Sequence, residues 1–326
     1  MLFPDLIDHI RSNVSNAYAD EAEEYITKAV SARTHIAKHG IHTVMKNDDE
    51  EGESGTGDFL DFEHVLAAIY LTAWSRKNEE AHDAWLKALG GTYTAEAMNR
   101  GAEAASRVLS DIVTEDDLAA MRSAHVQAAR RGAAVVNGLQ AFDQLNSVAD
   151  VYDGMARSSK YFTNNYFNNR VLPGLQRAVQ AMIENDELVD PNQVFTSLRK
   201  RLDDRLLGRV PYWHTVSTSA ASRAYHYGVI KAGRRQGFRG YRLVAVMDNR
   251  TSEICKALNG REFWLADAEK LYDAVAKAEQ EDIKDVHPWI MGEEARGLTK
   301  DEVLARATYV PPFHGRCRTT IQLISV

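Results

Sequence analysis

The apolar residues of this chain change their spacing once, near residue 238, and that change limits the fold more than any other feature. Before it, they recur every three to four positions, the period of a helix with one buried face. Phe62, Val65, Leu66, Ile69 and Ala73 in "FEHVLAAIYLTAW" form one such stripe. Val194, Leu198, Leu202 and Leu206 form another, which stops near Gly208 and Pro211. "TEDDLAAM" opens a further helix that runs on through Leu118, Met121 and His125. Thr114 is its N-cap and Asp117 sits at the capping-box position, with Glu115 and Asp116 favouring the positive end of the dipole. Gly132 and Gly138, beyond it, mark a kink or a close helix contact.

After residue 238 the pattern turns to strands. "YRLVAVMD" and "REFWL" are β-rich runs, with "NRTSEICKALNG" between them as a short helix that Gly260 ends in a left-handed cap. "ADAEKLYDAVAKAEQ" is a helix and "CRTTIQLISV" a last strand. The expected fold is a mostly α N-terminal domain, residues 1–214, followed by a small α+β C-terminal domain, residues 215–326. Thr215–Gly237 would open the second as a helix. A length of 326 residues suits two such domains.

Charge narrows the partners. A net charge of −7 argues against binding nucleic acid over the whole surface. The charge is uneven, however. Between Thr196 and Arg242 lie eleven basic residues and only two acidic ones, Asp203 and Asp204. Within that stretch Arg199, Lys200, Arg201, Arg205, Arg209, Lys231, Arg234, Arg235 and Arg239 are candidates to meet DNA or an acidic protein surface; the alternative is solvated helix faces paired within the molecule. No run approaches the roughly 20 apolar residues of a membrane span. "MLFPDLIDHIRSNV" carries acids in its first turns and does not read as a secretion signal, so a reducing cytoplasm is the expected place of folding.

Three other stretches call for a reading. "KNDDEEGESGTGD", Lys46 to Asp58, is acidic and glycine-rich and is expected as an exposed loop; it fits a calcium loop poorly at both ends. "YFTNNYFNNRVLPG", Tyr161 to Gly174, reads as a loop with aromatic anchors or as a protein contact surface. His35, His39 and His42 are expected at a solvated helix end.

The chemistry is concentrated in two distant half-motifs. The first is Asp248, Arg250, Thr251, Cys255, Leu258 and Gly260; the second is Pro311, Pro312, His314, Cys317 and Arg318. The prolines would hold an extended segment, and a turn at Gly315 would bring His314 and Cys317 to one side. If the halves pack together, Cys255, His314 and Cys317 converge. Thr251 would cap the helix of Cys255, Arg250 would pair with Asp248 or with carbonyls, and His314 would donate to a carbonyl. Three outcomes fit such a cluster: a packing lock without chemistry, a Cys255–Cys317 disulfide, or a metal site. A structural zinc site wants four ligands and three are present, so an outside ligand such as Asp248 or His287 would be needed. There is no phosphate-binding loop, no His-Glu-x-x-His and no carboxylate pair, so a catalytic role is not expected.

The order Asp-x-Arg-Thr-x-x-x-Cys-x-x-Leu-x-Gly, then Pro-Pro-x-His-x-x-Cys-Arg, resembles the phage Mu F-like minor head proteins, also called phage head morphogenesis proteins. The likeness covers roughly residues 215–326. It implies a structural virion component in few copies, associated with the portal protein or the capsid interior. Its role would be in head assembly and DNA packaging or delivery, with packaged DNA as a further contact. Such a protein is made in the host cytoplasm and then sits in the head interior or at the portal vertex. The resemblance implies no enzyme and no required cofactor; zinc is the ion the cluster would take. The competing class is a metal-dependent enzyme or toxin-like effector built on the same cysteines and histidine.

Overall fold

The computed structural model describes residues 27–29, 59–92, 94–136, 149–166, 168–169, 172–184, 210–279, 282–286, 288, 294, 296–315 and 317–325. The readings made for Lys46–Asp58, for His35, His39 and His42, for Val194–Leu206, for Gly138 and for His287 lie outside the described residues. The chain is mostly helical, with a small antiparallel sheet near its C-terminus, as the spacing of apolar residues implied. Its helices are α1 Phe59–Leu89, α2 Ala95–Leu109, α3 Glu115–Val135, α4 Ala149–Tyr166, α5 Leu172–Glu184 and α6 Val210–Arg235. Then come β1 Gly240–Val244, α7 Glu253–Leu258, β2 Glu262–Trp264, α8 Leu265–Lys277, α9 Ile283–Val286, α10 Lys300–Ala305 and β3 Thr320–Ile324.

The chain divides into two compact units. One takes Met1–Gly40, Ala67–Asp117 and Lys160–His214; the other takes Ile41–Leu66, Leu118–Ser159 and Thr215–Val326. Leu118–Ser159 groups with Thr215–Val326 by contact.

In the first unit, Thr94 caps α2 by accepting from Ala97 N. Ala97, Met98, Gly101, Ala102, Ala105 and Leu109 fall on its buried face. The small residues let the fully buried Trp85 ring lie against Gly101. Leu175, Val179 and Met182 of α5 are buried as well. The expected cap at Thr114 is present, its hydroxyl accepting from Asp117 N while Asp117 Oδ2 accepts from Thr114 N at 2.8 Å. Arg76 adds an ion pair to the same carboxylate at 2.6 Å. The stretch read as a loop from Tyr161 is helix as far as Tyr166, and α5 begins at Leu172. The asparagines misled here. Asn164 lies on the helix and donates to Asp111 Oδ1, while Thr163 and Tyr166 are buried by packing.

In the second unit, small residues set the helix crossings. Gly132 of α3 abuts the α6 backbone at Tyr225, and Gly228 of α6 abuts Ala129 of α3. Gly154 of α4 meets the backbone of α8 at Val275. Arg157 donates to Ala276 O at 2.7 Å beside it. Tyr152, Tyr227 and Tyr272 stack edge to face in sequence, tying α4, α6 and α8 together. The sheet order is β2–β1–β3, antiparallel throughout, with Tyr241 opposite Phe263 and Leu323, and Leu243 opposite Ile321. Alternation buries Tyr241, Leu243, Phe263 and Ile321 on one side. Leu323 packs against Gly233, which seats the sheet on α6.

Candidate metal site at the meeting of two half-motifs

The first half-motif is a turn that holds itself. Asp248 Oδ1 accepts from Arg250 N at 2.9 Å and lies 3.1 Å from Thr251 Oγ1. Asp248 N donates back to Thr251 Oγ1, whose own proton goes to the Val246 carbonyl. Short polar side chains bonding to backbone two or three residues away are what turns of this kind use. The helix α7 that follows is capped by Ser252, whose Oγ accepts from Cys255 N. Thr251 was the expected cap and is instead spent on the turn; two adjacent hydroxyl residues made the choice ambiguous in sequence. Gly260 ends the helix at φ +78°, as expected. Asn259 Oδ1 and Gly260 N then bond to Ala245 and Leu243, fastening the turn and helix to β1.

The second half-motif returns from α10. Thr299 and Glu302 form a full capping box at the start of that helix. Tyr241 Oη donates to Tyr309 O at 2.7 Å, anchoring the incoming strand-like segment to the sheet. Val310, Pro311, Pro312 and Phe313 are buried. The proline pair was expected to run extended; the peptide between them is cis. Gly315 passes so close to Thr215 that a Cβ there would meet its Cγ2.

The two halves come together. Cys255 Sγ lies 3.7 Å from Cys317 Sγ and 3.2 Å from His314 Nε2. All three ligand atoms fall within 4.8 Å of one another. The sulfurs are not bonded, since a disulfide needs about 2.05 Å. His314 Nδ1 donates to Gly315 O at 2.7 Å, which leaves Nε2 as the acceptor facing the thiols. Ser252 Oγ, which sequence reasoning had not assigned to the site, reaches the same Nε2 at 2.8 Å. Its signal was its place three residues before Cys255, one helical turn away and so on the same side.

Arg318 closes the lock. Its guanidinium grips Asp248 with two hydrogen bonds, 2.8 Å to Oδ2 and 2.7 Å to Oδ1. The expected partner of that carboxylate was the Arg250 side chain. Arg250 contributes its backbone N instead, and its side chain lines a small depression with Val246, Thr251, Ser252, Arg318 and Thr319, over Cys255 and His314. The fork of Arg318 fits a carboxylate better from across the fold than Arg250 could from two residues away.

Electrostatics separates the two sulfurs. Contact with Cys317, then burial, pushes the Cys255 thiol up to about 12. The hydrogen bond from Cys255, outweighing burial and assisted by backbone at Phe313 and Thr319, brings Cys317 down to about 6. His314 is raised, first by Cys255 and then, against burial, by the Gly315 carbonyl. The Arg318 hydrogen bond, with help from Arg250 N and Thr251, holds Asp248 well below the usual carboxylate range.

Comparison of the chain with protein-family models, curated proteins and solved structures finds no match.

The basic stretch is only partly described. Arg199, Lys200, Arg201, Arg205 and Arg209 lie outside the described residues. Lys231 and Arg234 share Glu269 at 3.1 and 3.4 Å, so two of the candidate DNA contacts have an acidic partner within the fold. Arg235 and Arg239 are exposed. Arg223, counted in the same stretch, is half-buried, donating to Ser158 Oγ while its carbonyl accepts from Tyr272 Oη. Among the described residues, no helix is long and apolar enough to cross a membrane.

Proposed function

We propose that the chain is a minor head protein of a phage particle, non-enzymatic, which docks on the portal or the capsid interior and assists head assembly and DNA packaging or delivery. The observation that carries this reading is the closure of the two half-motifs. Residues 62 apart in sequence meet as Cys255–Cys317, locked by Asp248–Arg318. Each motif residue that carries the likeness to Mu F-like proteins has a part in that closure or in the turns that lead to it. A chain that must stay folded through assembly and genome transit has use for a clasp joining its last strand to its first.

Cys255, 3.2 Å from the imidazole, has its thiol pushed up, which argues against Cys255 as an activated nucleophile. In this reading the helical unit supplies the protein contacts. Arg235 and Arg239, with the basic residues before Val210, face packaged DNA or an acidic portal surface, a contact that weakens as salt rises.

The test is particle composition. Particles made from the genome that encodes this chain should contain it at low copy, cross-linkable to the portal, and its deletion should yield heads that fail to package or deliver DNA. Normal infectious particles lacking the chain would overturn the proposal. Portal and terminase genes beside its own gene are the expected neighbourhood.

A further inference from the structure

The geometry points to a metal ion in the clasp: we propose that Cys255 Sγ, Cys317 Sγ and His314 Nε2 hold one zinc ion, with water as the fourth ligand on the side of Ser252. With Zn–S near 2.3 Å and Zn–N near 2.05 Å, a tetrahedral ion sets its ligands about 3.8 Å apart for sulfur–sulfur and about 3.5 Å for sulfur–nitrogen. The observed separations are 3.7 Å between the sulfurs and 3.2 Å from Cys255 to the imidazole, with the third edge inside 4.8 Å. Two of the three edges therefore already stand near those of such a tetrahedron, and the third, between His314 and Cys317, has to close from no more than 4.8 Å.

Three further features fit an ion. Nδ1 of His314 is committed to the Gly315 carbonyl, so the lone pair of Nε2 points at the sulfurs; an outer hydrogen bond of this kind is what orients a metal-bound histidine. A disulfide would make no use of that imidazole. The ligands sit on separate backbone segments, the first shaped by the Ser252 cap of α7 and the two tied to each other by the grip of Arg318 on Asp248. Cys255 and His314 also border a depression lined by Arg250, Ser252 and Thr319, where a fourth ligand from solvent can enter. Two thiolates and an imidazole select zinc over magnesium or calcium. On binding, zinc takes the place of the thiol protons, which leave to solvent, and two thiolates balance its charge. The Asp248–Arg318 pair beside it is neutral as a unit.

Ser252 makes the proposal sharply testable. Its Oγ is 2.8 Å from Nε2. A sulfur there would be a fourth ligand. The full chain is purified under a phosphine reductant, stripped with chelator and reloaded. We expect one zinc per chain after desalting. Cobalt in its place should give thiolate-to-metal charge-transfer bands and the intense visible bands of a four-coordinate ion. Cys255→Ser, Cys317→Ser and His314→Asn should each weaken binding by at least about 100-fold in chelator competition. Ser252→Cys should tighten it by a factor on the order of 100. That gain cannot be produced by misfolding. The proposal is overturned if the reduced chain retains no stoichiometric zinc. It is equally overturned if the Cys255→Ser/Cys317→Ser double variant binds as the parent does, or if Ser252→Cys leaves affinity unchanged. Because the measurement uses pure protein, its failure is independent of particle composition and leaves the head-protein reading to its own test.

Discussion

Replacing Gly228 with alanine probes the closest helix contact in the unit that carries the clasp. A Cβ at Gly228 would lie 1.8 Å from Ala129 O, and one at Gly132 would lie 2.0 Å from Tyr225 O. Ordinary contact begins at 3.4 Å. The obstacle in both cases is backbone, which cannot rotate away as a side chain can. Helices α3 and α6 must therefore part by on the order of 1.5 Å, an overpacking that costs about 3 kcal/mol, the upper end of the usual range. Alanine's better helix propensity offsets about 1 kcal/mol of this. The net loss is about 2 kcal/mol, a drop in melting temperature of roughly 3 °C for a chain of this length unfolding as one. Thermal melts followed by circular dichroism, backed by urea titration, read it directly. Gly101→Ala is the comparison, because there the neighbour is the Trp85 ring at 3.0 Å and not backbone. It should cost less. If Gly228→Ala instead stabilises the protein by the propensity gain alone, Leu118–Ser159 does not pack on α6 as described, and the composition of the C-terminal unit must be redrawn.

Two further expectations concern acid. His125 is buried and pushed down to about 3 by burial first and Arg223 second, while burial brings His226 down to about 4. The unfolded chain binds these protons and the folded one does not, so stability should fall as pH drops from 6.5 toward 3, and His125→Leu should flatten that slope in denaturant titrations. Asp248 has a depressed pKa, so the contribution of its pair with Arg318 is present above the ordinary aspartate value of about 4 and lost as pH falls below it. Asp248→Asn should remove that contribution at neutral pH and make the stability of the variant less sensitive to pH below about 4. A variant with the parent's acid profile would show that the pair does not hold the clasp.

Local structure was legible from residue types alone. The helix stripe through Val65, Leu66, Ile69 and Ala73, the cap at Thr114, the left-handed Gly260 and the alternation of Tyr241 and Leu243 each depend on neighbours within a few positions, and short-range sterics and hydrogen bonding decide them. Misreadings arose where local signals were balanced. Thr251 and Ser252 are both good caps, and only the Val246 carbonyl and the Asp248 turn chose between them. The asparagines after Tyr161 favour loops in isolation, but burial of Thr163 and Tyr166 keeps the chain helical.

The amino-acid order by itself determined most element types, the helix through Tyr161–Tyr166 excepted, and marked Cys255, His314 and Cys317 as the residues able to do chemistry. Only the tertiary structure decided that they meet, that Arg318 rather than Arg250 takes Asp248, and that Leu118–Ser159 joins the C-terminal unit. The physical reason is range. A cap or a pleat is set within a few residues, whereas a contact between side chains 62 apart depends on burial and hydrogen bonds summed over every segment that positions them.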